Sequence, residues 1–102
     1  MNLLILFFQY NTKLDLSRKK IENKELKNIL EKIDNRELKE LNLCHNNISD
    51  IKVLEKVKFE KLEKLNLGVN KILNNINILE NVNFKQLKSL SLRSNNISDI
   101  KV

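Results

Sequence analysis

Apolar residues recur along this chain in a compound skeleton that is neither a plain helical nor a plain strand period. LKELNLCHNNI (38–48), LEKLNLGVNKI (62–72) and LKSLSLRSNNI (87–97) each read L-x-x-L-x-L-x-x-N-x-I. A degraded copy, NTKLDLSRKKI (11–21), carries Asn11 in place of the first leucine and Lys19 in place of the asparagine. In L-x-L the side chains alternate across a strand, which predicts that Leu41 and Leu43, Leu65 and Leu67, and Leu90 and Leu92 share one core while their neighbours face outward. A single copy cannot bury its own apolar face. The copies are therefore expected to stack, their strands forming a parallel ladder with neighbours about 4.8 Å apart.

The segments that lead back to the next strand repeat as well. Ile51, Val53, Leu54, Val57 and Phe59 correspond to Ile76, Ile78, Leu79, Val82 and Phe84, with Lys and Glu filling the gaps. That pattern predicts short helical turns with one solvated side and places Phe59 and Phe84 in the core. The first return differs. In 22–35, Leu26, Ile29, Leu30 and Ile33 fall at i, i+3, i+4 and i+7, an amphipathic helix of about three turns. LLILFF (3–8) reads as an apolar cap or as the tail of a preceding helix, so 1–10 is set apart from the repeats. The chain reaches Val102 partway through a return segment. Without a polar cap, stacking faces are exposed, so a longer array or self-association through the ends is expected.

Residues 27, 24 and 25 positions apart separate Leu14, Leu41, Leu65 and Leu90, within the roughly 20 to 29 of a leucine-rich repeat. With three copies in register, the chain resembles a leucine-rich repeat protein over residues 11–102. The NNISDI ending is similar to the repeats of bacterial internalins and of a phosphatase-regulatory subunit, and the first copy resembles the ribonuclease-inhibitor class. The resemblance implies an α/β leucine-rich repeat solenoid with a short curved parallel β-sheet on the concave face and helix or 3₁₀ turns on the convex face. Its repeats span 11–37, 38–61, 62–86 and an incomplete 87–102. It also implies an asparagine ladder at Asn46, Asn70 and Asn95, each amide bonding backbone groups of its own turn and of the next. Asn47 and Asn96, beside it, read as plain turn residues.

Composition narrows the function. The chain has 102 residues, 41% of them hydrophobic, and a net charge of +6, which suits one folded domain. Abundant Asn, Lys and Ile are what an AT-rich coding sequence produces, so the charge alone defines no partner. The turns fall to Asn, Asp and Ser, because Pro is absent and Gly68 is the single glycine. The lone Cys44 fits a reducing, intracellular and cytoplasmic location. No apolar run approaches the roughly 20 residues of a membrane span. The N-x-S matches at Asn47 and Asn96 are explained by the repeated turn.

Catalysis is not expected. Cys44 and His45 are adjacent, and on an extended strand their side chains would diverge rather than form a nucleophile and base. One His and one Cys cannot hold zinc, and one glycine cannot build a phosphate loop, so neither a metal nor a cofactor is expected. Function is sought on the outward strand positions, where Glu40, Asn42, His45, Lys64, Asn66, Ser91 and Arg93 are the candidate partner-binding residues. The expected partner is a protein. The rival reading is weak phosphate or nucleic-acid binding through basic residues, Arg18, Lys19 and Lys20 forming the tightest cluster, but Lys alternates with Glu along the returns and argues against a one-signed stripe.

Overall fold

In the computed structural model, residues 12–96 are described, apart from 34, 74 and 83. The elements follow in the order β1 (Lys13–Asp15), α1 (Asn23–Lys32), β2 (Glu40–Asn42), a 3₁₀ helix (Lys52–Lys56), β3 (Lys64–Asn66), a second 3₁₀ helix (Asn75–Asn81) and β4 (Ser89–Ser91). The four strands form one sheet in sequence order, each pair parallel, with Leu14, Leu41, Leu65 and Leu90 in register. The fold is thus a small α/β structure with a four-stranded parallel sheet and few helices. The apolar segment 3–8, the remainder of 1–10 and the end of the chain from 97 lie outside the described residues.

Strand pairing extends beyond the three-residue strands. Leu16, Leu43 and Leu67 donate their N–H groups to Asn42, Asn66 and Ser91 of the following strand. Arg18, His45 and Val69 donate likewise to Cys44, Gly68 and Arg93. The leucines between these ladders, Leu14, Leu16, Leu41, Leu43, Leu65 and Leu67, are buried in one cluster with Ile21, Ile48 and Ile72. At the edge strand the expected burial fails: Leu90 is 40% exposed and Leu92 is only partly buried. No strand among the described residues pairs with the outer side of β4, although Leu14 of the other edge strand, β1, is 1% exposed.

The helix buries Leu26, Ile29 and Leu30, as the spacing predicts, but runs from Asn23 to Lys32 rather than over 22–35. Glu22 is extended at its N-cap and Ile33 is extended at its C-cap. The Asn35 side chain then donates to the Leu30 carbonyl at 2.8 Å, satisfying one of the carbonyls left open at the helix end. The later returns are tighter 3₁₀ turns with fewer buried positions. Phe59 is fully buried and Phe84 only partly, their rings stacked at 5.8 Å between centroids.

Between strand and return, asparagine amides tie the chain together. The Asn70 Nδ2 donates to the carbonyls of Leu43, Leu67 and Gly68 at 3.0–3.1 Å, and its Oδ1 accepts the Ile48 N–H at 3.0 Å. Asn46 does the same for Leu16, Leu43 and Cys44 and accepts from both Lys19 and Ile21. Asn95 reaches Leu67, Leu92 and Arg93, and accepts from Ile72. Each amide therefore serves its own turn and the preceding one, not the next as the resemblance implied. Lys19 has no amide to play this part, and its own N–H is a further donor to Asn46 Oδ1 at 3.1 Å.

The turn has a second requirement that no residue type announced. Arg18, His45, Val69 and Ser94, each directly before the asparagine position, all have φ between 51° and 57°. This is the left-handed region, disfavoured for side chains with a Cβ and most of all for a β-branched one. Val69 sits there next to Gly68, which is not at positive φ.

Candidate functional site

The outer face of the sheet is built from the residues between the buried leucines. Register places Lys13, Glu40, Lys64 and Ser89 in one row and Asp15, Asn42, Asn66 and Ser91 in the next. Charges of opposite sign are neighbours in the first row, where Lys13 and Glu40 form an exposed ion pair at 3.3 Å, worth about 0.2–1 kcal/mol at most. Glu40, Asn42, Lys64, Asn66 and Ser91 line one shallow depression of about 400 Å³. Five of the seven candidate residues are thus brought together.

The other two stand apart. His45 does not line the depression; it lies in the left-handed turn after β2, where its Nε2 is 3.3 Å from Arg18 Nη2. Strand alternation consequently does not describe the directions of Cys44 and His45. Arg93 also lies beyond the strand, and its Cγ is 3.5 Å from where a Cβ on Gly68 would fall. Gly68 occupies the position held by Ser17, Cys44 and Arg93 in the other copies, and the Arg93 stem would stand in ordinary contact with a Cβ there. A Cβ there would also meet Asn66 Oδ1 at 3.0 Å. The tight contact is thus with the turn's own Asn66, which accepts the Gly68 N–H.

The second row does internal work as well. Asn42 Oδ1 accepts the Cys44 N–H at 3.0 Å and Asn66 Oδ1 accepts the Gly68 N–H at 2.9 Å. Asp15 Oδ1 accepts both the Ser17 hydroxyl at 2.6 Å and the Ser17 N–H at 2.9 Å. The Ser17 hydroxyl bond, followed by its backbone N–H, holds the Asp15 carboxyl below its ordinary range. Asn42 and Asn66 are therefore turn formers in addition to surface groups, and replacing them would disturb the fold that carries the face.

Arg18, Lys19 and Lys20 are exposed, and Arg18 lies against His45 as described. None of the three lines either cleft. No group of three or more His, Cys, Asp or Glu among the described residues could hold a metal ion. No helix among the described residues is long and apolar enough to cross a membrane. The class defined by the fold is a small α/β domain with a parallel sheet bare on one face. No family model, curated protein or solved structure matches this chain.

Proposed function

We propose that this chain is a non-catalytic protein-recognition or assembly module, a short leucine-rich repeat solenoid located inside the cell, that engages a partner protein through the outer face of its sheet. The observation that carries this reading is the bare face. Parallel sheets are ordinarily covered on both sides, whereas here Lys13, Asp15, Lys64 and Ser89 are exposed. The stacking of in-register strands with asparagine amides between levels supports the repeat assignment. Because Asn42 and Asn66 are held by their Oδ1 atoms, their amide nitrogens are pre-oriented donors for a partner's carbonyls, which lowers the ordering cost of binding.

The face is small. Four strands span about 14 Å across and about 15 Å along, roughly 200 Å², against about 800 Å² per partner in a standard interface. A partner therefore also grips the edges, including the exposed Leu90 of β4, or binds several stacked copies. The test is affinity capture with cross-linking, comparing the intact chain with Lys64→Glu/Arg93→Glu, two residues with exposed side chains that take part in the turn bonds through their backbone at most. Loss of the captured partner, with an unchanged melting temperature, is the expected result. A partner captured equally by both proteins places recognition elsewhere.

A further inference from the structure

Across the core from the sheet, α1 and the following return, 50–58, enclose a cleft of about 1200 Å³. Its lining holds seven Lys or Arg residues against two acidic ones, a local excess of five in a chain whose whole net charge is +6. The two stretches that meet here each mix signs along the chain, which is why the sequence suggested no stripe. Folding brings Lys24 and Lys27 of the helix opposite Lys52, Lys56 and Lys58, all exposed. Between them lie Leu30, Ile33, Val53 and Val57, and the two valines are only partly buried. One end of the cleft is tied. Asn23 Oδ1 accepts the N–H groups of Ser49 and Asp50 at 2.9 and 3.0 Å, and its Nδ2 donates to Ser49 Oγ at 2.9 Å. The walls are thus preformed rather than assembled by the occupant.

We propose that this cleft is a docking groove for an acidic, amphipathic peptide segment of a partner protein, separate from the sheet face. Charge complementarity selects the acidic side chains, and the valine and leucine floor selects an apolar stripe between them. A nucleic-acid backbone would satisfy the cations but leave the apolar floor unmatched, and the lining has no aromatic ring on which bases could stack. The helix wall of ten residues is about 15 Å long, enough to lie beside about three turns of a partner helix.

The test uses the full chain and a labelled peptide of about twelve residues, with Leu at helical i, i+3, i+4 and i+7 positions and Glu elsewhere, read by fluorescence anisotropy at about 50 and 200 mM salt. Two controls are run beside it, a scrambled peptide of the same composition and a single-stranded uridine RNA of similar length. The amphipathic peptide is expected to bind about tenfold or more tighter than the scrambled one. Lys24→Glu/Lys56→Glu is expected to weaken it by about tenfold. Lys27→Glu/Lys52→Glu, an independent pair on the same walls, should do the same. The sheet-face variant Lys64→Glu/Arg93→Glu should leave peptide affinity unchanged, so that failure of the groove and failure of the sheet-face reading are told apart. Equal binding of the scrambled peptide, tighter binding of the RNA, or indifference to both charge-reversed pairs each overturns the proposal.

Discussion

The two sides of the core obey different rules. On the strand side, every copy repeats the same leucines and the left-handed turn residue, and the first three donate to the same backbone partners of the strand that follows. On the return side, one copy uses an α-helix and the next two use 3₁₀ turns, with repeat lengths that differ by up to three residues. The cause is the hydrogen-bond ladder. A parallel strand shifted by one residue turns its leucines to the wrong face and unpairs its backbone, while a return has only to fill the space beneath the sheet with apolar side chains. Sequence variation is therefore tolerated where volume is the constraint and suppressed where register is.

The largest expected difference comes from truncating the core on each side. Leu65→Ala removes a side chain 1% exposed at the centre of the ladder and is expected to cost about 2–5 kcal/mol in denaturant unfolding. Leu79→Ala, half-buried on the return, is expected to cost no more than about half as much. Equal losses would dissolve the distinction between the sides. Next come the turn amides. Asn70→Ala removes the partner of the buried Ile48 N–H, while the carbonyls of Leu43, Leu67 and Gly68 each keep another donor, and it is expected to lose about 1–3 kcal/mol. The exposed Asn47→Ala should stay within about 0.5 kcal/mol. Similar thermal shifts for the two would remove the amide network as a determinant. The smallest effect has the opposite sign. Val69→Asn places a residue tolerant of positive φ at the strained turn position and is expected to raise stability by about 1 kcal/mol; a lower melting temperature would mean that the valine packs too well to be spared.

Much of the strand side is legible in the sequence, because a period of two within a repeat of about 25 residues leaves little freedom for Leu41, Leu65 or the asparagines that follow. The exposure of Leu90 is not legible in the L-x-L alternation, which treats it like Leu41 and Leu65; among the described residues β4 has a paired strand on one side only. The left-handed turn is hidden because Arg, His, Val and Ser carry no common signal for it. Asn42 and Asn66 look like surface residues until their Oδ1 atoms are seen to close turns. The basic cleft is the clearest gap: its cations come from two separate segments, Lys24 to Arg36 and Lys52 to Lys58, and each segment read alone is interleaved with acidic residues. Of the candidate site, the row positions were readable from alternation, but the places of His45 and Arg93 were not, because alternation ends where the strand bends into the turn.

The backward reach of the asparagines gives the molecule a polarity along the chain. The N–H of Ile21 waits for Asn46, that of Ile48 for Asn70 and that of Ile72 for Asn95. A chain cut just after Leu67 would therefore keep its first asparagine seal at Ile21 but leave the Ile48 N–H without its acceptor.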